Sequence, residues 1–137
     1  MRTFATAMQY HHVIHFMLAE AQAMLPQVIA TLTEIRDLKH ELDERGYDIR
    51  GHRYFTSLGT NGTAAYPPNV DKIIQLHQGL ISQGVQVKDI EIGLVDFPTL
   101  RRNGEEVYLC FKLGEESIEY WHSIEDGFPG RQALDTL

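Results

Sequence analysis

A heptad repeat over residues 18–45 is the feature of this chain that most constrains its fold. Apolar side chains recur every seven positions in two series offset by three, and the positions between them are mostly polar. This spacing places the apolar residues along one side of a helix. The first series is Leu18, Leu25 and Leu32, broken at Lys39, and the second is Ala21, Val28, Ile35 and Leu42. The repeat predicts a long helix, which we place at residues 16–46.

Two interpretations of the repeat are open. An amphipathic helix that covers a hydrophobic core is favoured because the repeat is short, and a dimerising coiled coil is the alternative. Pro26 lies inside the predicted helix, where a proline removes one hydrogen bond and clashes with the preceding turn. Because the heptad phase is the same on both sides of Pro26, the sequence predicts a kinked but continuous helix. Gly46 is expected to end it, since glycine readily adopts the left-handed cap conformation.

Residues 47–66 contain three glycines and no helical period, and they are predicted to form a long loop. Pro67-Pro68-Asn69 then opens a second helix over residues 68–84, with Asn69 as a candidate N-cap. A helix that returns beside the first gives an antiparallel pair. Its apolar stripe is Val70, Ile73, Ile74, His77, Leu80 and Ile81.

The hydrophobic period changes to two at residue 85, which is typical of strands. Residues 85–123 are predicted to form a three-stranded antiparallel β-meander, followed by a C-terminal tail at 124–137. The fold class is therefore α+β: an antiparallel helical hairpin, with a long kinked helix and a shorter one, packed on that meander. With residues 1–15 as an N-terminal extension, residues 1–137 are predicted to form a single domain.

Composition limits the classes of partner. The chain has a net charge of −7, and residues 85–137 hold eleven Asp/Glu against five Lys/Arg, a local net charge of −6. Such a surface repels nucleic acid and anionic membranes. Neither nucleic acid nor a membrane is therefore expected as a partner. The heptad repeat favours a protein partner or self-association instead, and a small-molecule ligand is left open. The single cysteine, Cys110, excludes an internal disulfide, and the N-terminal sequence lacks the pattern of a signal peptide, so a cytoplasmic location is expected.

The pairing of the last two strands decides which side chains can meet. A two-residue loop at Gly114-Glu115 would pair Val107 with His122 and Cys110 with Glu119, and this register buries one apolar face. His122 would then lie on the opposite face from both Cys110 and Glu119. A metal site built from this hairpin is therefore not expected, and no cofactor is expected either.

Four polar residues are candidates for a site at the end of the sheet: His122, Asp96, Arg131 and Glu115. In an enzyme, Arg131 would hold an anionic substrate, His122 would be the general base and Asp96 would orient it. In the structural alternative, His122 has no catalytic role and forms hydrogen bonds with a carboxylate or a backbone carbonyl. Arg131 would then pin the tail by pairing with a carboxylate, for which the candidates are Asp96, Glu125 and Asp126.

Standard catalytic motifs are absent: the chain has no Gly-rich phosphate loop, HExxH, paired CxxC or nucleophile elbow. A small non-catalytic interaction or scaffolding module is therefore preferred to a small-molecule or metal-dependent enzyme. The predicted register places Tyr108 opposite Trp121 on the outer face of the sheet, and an aromatic face of this kind is a candidate interaction surface. Arg53, Tyr54 and Phe55, in the predicted loop, are further candidates.

Four stretches together resemble the uncharacterised prokaryotic family called domain of unknown function 2203. They are "LAEAQAMLP", "VKDIEIGLVDFP", "VYLCFKLGE" and "WHSIEDGFPGRQAL", and the resemblance covers roughly residues 16–134. This chain departs from the family pattern at Met17, where Thr is usual, at Phe111 for Trp, and at Ala133 for Pro. The resemblance implies no activity, cofactor or catalytic residue. It implies only that five polar residues stand at motif positions: Asp96, Cys110, Glu115, His122 and Arg131.

Overall fold

The computed structural model describes residues 3–4, 10–48, 53–54 and 67–137, with side chains for residues 10–47 and 67–137. Within these ranges lie two helices, α1 (Leu18–Glu44) and α2 (Pro68–Ser82), and nine strands. The strands are β1 (Thr3–Phe4), β2 (Ile14–His15), β3 (Tyr47–Asp48), β4 (Arg53–Tyr54), β5 (Gln86–Asp89), β6 (Leu94–Leu100), β7 (Glu106–Lys112), β8 (Tyr120–Ser123) and β9 (Gln132–Ala133). Short 3₁₀ turns follow at Phe128–Gly130 and Leu134–Thr136. The α+β class is confirmed.

Helix α1 runs without interruption through Pro26, as its constant heptad phase predicts. The heptad positions are buried within this one chain, so they form the core and are not open for a coiled coil. The buried positions are Ala21, Leu25, Val28, Leu32, Ile35, Lys39 and Leu42. Leu18, at the start of the repeat, is exposed.

Lys39, which breaks the repeat, is buried but paired. Its ammonium donates to Asp43 Oδ2 at 2.9 Å and also bonds to Glu91. Burial lowers the pKa of Lys39, but the hydrogen bonds to Glu91 and Asp43 outweigh burial, so the pKa lies above its ordinary value. A charged residue is therefore tolerated at a core position of the helix because both its partners reach it.

The ends of α1 follow local rules. The Met17 backbone N–H donates to Glu20 Oε1 at 2.9 Å, so a carboxylate in the first turn binds the N-terminus where the side chain of Met17 offers no oxygen. At the other end, Gly46 has a φ of 75° and its N–H donates to the Asp43 carbonyl at 3.0 Å. The predicted stop at Gly46 is confirmed, and the helix itself spans Leu18–Glu44.

The main sheet is an antiparallel meander of five strands in the order β5-β6-β7-β8-β9, so the prediction of three strands is wrong. The alternation over residues 85–97 reads as one strand, but it contains a turn. Asp89 Oδ1 accepts the N–H groups of Glu91 at 2.8 Å and Ile92 at 3.3 Å, which forms an Asx-type turn, and Gly93 follows with a φ of 66°. The fifth strand, β9, comes from the predicted tail.

The two faces of the sheet differ in chemistry. Apolar side chains on one face pack with both helices into the hydrophobic core: Val95, Phe97, Val107, Leu109, Phe111 and Trp121. The opposite face, called the outer face below, carries alternate residues of β6, β7 and β8 that are mostly polar. Asp96, Tyr108, Cys110 and His122 lie there and are buried all the same.

Outside the main sheet, the predicted loop at 47–66 begins with a short antiparallel pair, β3 with β4, and the rest of that loop lies outside the described residues. The N-terminal extension also contributes a pair, β1 with β2. Neither described helix is long and apolar enough to cross a membrane.

Candidate functional site

The register of β7 and β8 differs by one residue from the predicted register. Tyr108 pairs with His122, Leu109 with Trp121 and Cys110 with Tyr120. A one-residue shift moves every side chain of β8 to the other face. The predicted pairs Val107 with His122 and Cys110 with Glu119 are therefore wrong, as is the shared face of Tyr108 and Trp121.

The cause of the shift lies in the connection between the two strands. The Lys112 N–H donates to Glu115 Oε1 at 2.7 Å, and the Glu115 N–H donates to the Lys112 carbonyl at 3.0 Å, so the chain turns here without a two-residue hairpin loop. Further on, the Gln22 amide of α1 bonds both the N–H and the carbonyl of Ile118 at 2.9 and 3.0 Å. Ile118 is thereby held on the helix, and pairing resumes only at Tyr120.

Asp96, Cys110 and His122 come together on the outer face as a result. Asp96 on β6 is the direct cross-strand partner of Cys110 on β7. His122 on β8 is the diagonal neighbour of Cys110. One ligand-type atom from each residue lies within 4.8 Å of the others, and all three residues are buried. Among the residues that the structure describes, this is the cluster whose geometry could hold a metal ion. The prediction that separated Cys110 from His122 is wrong.

The protonation of His122 follows from its two hydrogen bonds. Nδ1 lies 2.7 Å from the Ser123 carbonyl, which can only accept, so Nδ1 carries a proton. Nε2 lies 3.0 Å from Asp96 Oδ1. Burial lowers the pKa of His122, but the hydrogen bonds to Asp96 and Ser123 outweigh burial, so the pKa lies above its ordinary value. Both ring nitrogens are engaged, and because Nδ1 is already protonated, one proton is shared between Nε2 and Asp96 Oδ1.

Cys110 is held as a thiol in the same cluster. Burial first, and then the negative charge of Asp96, raise the pKa of Cys110 to about 12. The Arg131 guanidinium lies beside the sulfur and acts in the opposite direction without reversing the shift. A thiol with this pKa is a poor nucleophile at neutral pH.

Arg131 lies at the edge of the cluster. Its Nη1 donates to Glu115 Oε2 at 2.8 Å, and its guanidinium lies 4.2 Å from the centre of the Tyr120 ring and 4.4 Å from that of Phe128. The predicted clasp is present, but its partner is Glu115 and none of the carboxylates that the sequence suggested. Of the four candidates, the structure therefore brings together His122 with Asp96, and Arg131 with Glu115, on either side of Cys110.

A second polar cluster covers the other end of the outer face, and sequence reasoning missed it. The buried carboxylate of Glu106 accepts hydrogen bonds from the N–H of His11 at 2.7 Å and of His12 at 3.0 Å, and from the His15 ring at 2.7 Å. His12 Nε2 also lies 2.5 Å from Tyr108 Oη. The "HHVIH" stretch was the only signal in the sequence, and nothing in its spacing indicates a partner 91 or more residues away.

Of the predicted interaction residues, the two whose side chains the structure describes, Tyr108 and Trp121, do not share a surface. Tyr108 and Trp121 are 5% and 4% exposed and lie on opposite faces of the sheet. The indole of Trp121 donates to Thr136 Oγ1 at 2.9 Å, so the C-terminal residues cover it. The side chains of Arg53, Tyr54 and Phe55 lie outside the described residues, and their role stays a prediction.

Fold and site together define a small α+β protein in which two helices pack with a five-stranded antiparallel sheet whose outer face carries a Cys/His/Asp cluster. The chain belongs to the family of uncharacterised conserved proteins known as DUF2203, whose model matches residues 15–134. This confirms the resemblance in the sequence, and the function of the family is not established. Comparison with curated proteins and with solved structures gave no significant match.

Proposed function

We propose that this protein is a small non-catalytic module that associates with a second copy of itself. The observation that carries the proposal is an apolar patch formed by Val13, Ile74 and Ile81. These side chains are 53%, 38% and 46% exposed. Val13 and Ile81 line one depression of about 180 Å³, and Ile74 lies two turns before Ile81 on the same side of α2.

The chemistry of the depression supports a second copy as the occupant. Its other lining residues are His12, Ile14, Gly84 and Gln86, so no carboxylate lies within it. A chain with a net charge of −7 repels its own copies over most of its surface. Two copies approach most easily where the contact is apolar and lined by no carboxylate, as in this depression, and a two-fold interface uses the same patch on both.

The enzyme alternative has weaker support. Its general base, His122, donates through Nδ1 and faces Asp96 through Nε2, which leaves no free lone pair to accept a proton. Its anion-binding group, Arg131, is already paired with Glu115. The one observation in its favour is the 3.0 Å contact between His122 and Asp96, which a structural role explains equally well.

Light scattering after size exclusion tests the proposal. The monomer mass is 15.7 kDa, and we expect twice this mass for the wild-type protein at high concentration. Ile81→Glu places a charge in the centre of the patch and should give a monomer. Because Ile81 is nearly half exposed, the variant should fold with a free energy of unfolding within about 0.5 kcal/mol of wild type.

Ile92→Glu is the matched control. Ile92 is also an exposed isoleucine, at 44%, but it lies in the turn between β5 and β6. This variant should remain a dimer. A wild-type protein that is monomeric at every concentration, or a dimer that Ile92→Glu disrupts as strongly as Ile81→Glu, would overturn the proposal.

A further inference from the structure

The Asp96, Cys110 and His122 cluster has the donor set of a transition-metal site. It offers one carboxylate oxygen, one sulfur and one imidazole nitrogen within 4.8 Å of one another. Sulfur and nitrogen ligands with one carboxylate suit zinc and related borderline-soft ions, whereas magnesium and calcium prefer oxygen alone. The three ligands come from three adjacent strands, β6, β7 and β8, so their positions are fixed by the sheet.

Each of the three side chains also has a partner on its far side. The Nδ1–H of His122 donates to the Ser123 carbonyl, which turns Nε2 toward Asp96 and Cys110. The Arg131 guanidinium lies beside the Cys110 sulfur, and Lys88 Nζ lies 4.0 Å from the second oxygen of Asp96. Outer partners of this kind orient metal ligands and tune their basicity.

We propose that Asp96, Cys110 and His122 bind one divalent transition-metal ion of the zinc class. The ion takes a sulfur–metal bond to Cys110, a nitrogen–metal bond to His122 Nε2 and an oxygen–metal bond to Asp96. Binding releases two protons to solvent, the thiol proton of Cys110 and the proton shared between His122 Nε2 and Asp96 Oδ1.

The charges around the site are compatible with the exchange of two protons for one metal ion. One divalent ion replaces two protons, so the net charge of the cluster does not change. Lys88 and Arg131, which are both cationic, therefore experience no additional positive charge when the ion binds. Arg131 also keeps its pairing with Glu115 at 2.8 Å, and its N–H groups can donate to a metal-bound thiolate. The proposal concerns binding alone and is independent of self-association through the apolar patch.

Titration of the metal-free protein with Co²⁺ tests the proposal directly, because Co²⁺ adopts zinc geometries and is visible by absorption. A thiolate bound to Co²⁺ gives a charge-transfer band in the near ultraviolet. Cys110 is the only cysteine of the chain, so this band can arise at no other residue. We expect the band to saturate at one equivalent of Co²⁺ and to disappear when Zn²⁺ is added.

Variants then assign the other ligands. Cys110→Ser should abolish the band, and His122→Gln and Asp96→Asn should each weaken Co²⁺ binding by at least about tenfold. His77→Gln, which alters a histidine on α2, should bind as wild type. The fluorescence of Trp121, the only tryptophan, checks that each variant is folded.

Two results would overturn the assignment. The first is a folded wild-type protein that gives no charge-transfer band with excess Co²⁺, even if it binds the ion through histidines elsewhere. The second is undiminished affinity in both His122→Gln and Asp96→Asn. The wild-type result needs no variant to fold, so it is decisive by itself.

Discussion

Replacing Glu106 by Gln tests how the N-terminal segment is fastened to the sheet. The Glu106 carboxylate is buried and accepts four hydrogen bonds, two at each oxygen. Glutamine keeps one oxygen and presents an amide NH₂ in place of the other, so two donors lose their acceptor. The better rotamer puts the NH₂ toward His11, whose ring is 70% exposed and can turn to water.

The magnitude follows from these contacts. The part-buried backbone N–H of His11 is left without its acceptor, at about 1–3 kcal/mol, and the bonds from His12 and His15 lose the assistance of the charge. We expect the free energy of unfolding to fall by about 2–4 kcal/mol at pH 7. Glu105→Gln is the control, because Glu105 is 45% exposed and its pairing with Arg101 contributes about 1 kcal/mol at most.

The pH dependence has a definite sign. Burial raises the pKa of Glu106, but hydrogen bonds from His11, His15 and His12 outweigh burial, so the folded pKa lies below its ordinary value of 4.5. The stabilisation is complete above pH 4.5 and is lost as the pH falls through the folded pKa. Protonated glutamate resembles glutamine, so the difference between wild type and Glu106→Gln should shrink in acid.

Urea denaturation followed by the fluorescence of Trp121, which is buried in the core, measures these differences. A loss below about 0.5 kcal/mol at pH 7, or one that Glu105→Gln reproduces, would refute the reasoning. It would mean that the carboxylate does not fasten residues 10–15 to the outer face.

Two further stability predictions use the same assay. Lys39→Met should change the free energy of unfolding by less than about 1 kcal/mol, because both carboxylate partners are more than one-third exposed and can regain water. A loss above about 2 kcal/mol would contradict this. Gly93→Ala should cost about 2 kcal/mol or more, because φ is 66° and the new Cβ would lie 2.3 Å from Leu113 Cγ. Gly114→Ala, also at positive φ but with no atom within 4 Å, should cost about 1 kcal/mol, and equal losses at the two glycines would count against the steric argument.

Local patterns in the sequence predicted the helices well because burial in α1 depends on one heptad stripe. Pro26 did not break the helix, and Gly46 ended it through its positive φ, as expected. These features depend on residues a few positions apart, which a sequence displays directly. The number of strands was harder to predict, because the alternating pattern through Asp89 is typical of a single strand. The turn there depends on the Asp89 side chain, which accepts two backbone N–H groups.

The candidate site depended on long-range pairing, and there the sequence was misleading. Alternation alone favoured a register that placed His122 opposite Val107, because that register buries more apolar side chains in the hairpin. The actual register depends on Gln22 of α1, which holds Ile118 96 positions away in the chain. No local pattern reports such a contact. The sequence predicted that His122 could pair with Asp96. It did not place Cys110 beside them, because the predicted register put Cys110 on the other face of the sheet.

The cluster of Asp96, Cys110 and His122 depends on the register of β7 and β8, because a shift of one residue would place Cys110 and His122 on opposite faces. Disulfide formation tests this register without a ligand. A variant carries one new cysteine on β8 or just before it, and Cys110 is the natural cysteine with which it can pair on oxidation. Tyr120→Cys places a second cysteine directly opposite Cys110, within the range of about 4.4–6.8 Å between Cα atoms that a disulfide spans. Mass spectrometry of the oxidised monomer should show a disulfide in Tyr120→Cys and none in Glu119→Cys. A disulfide in Glu119→Cys with a free thiol pair in Tyr120→Cys would contradict the register and, with it, the Asp96, Cys110 and His122 cluster.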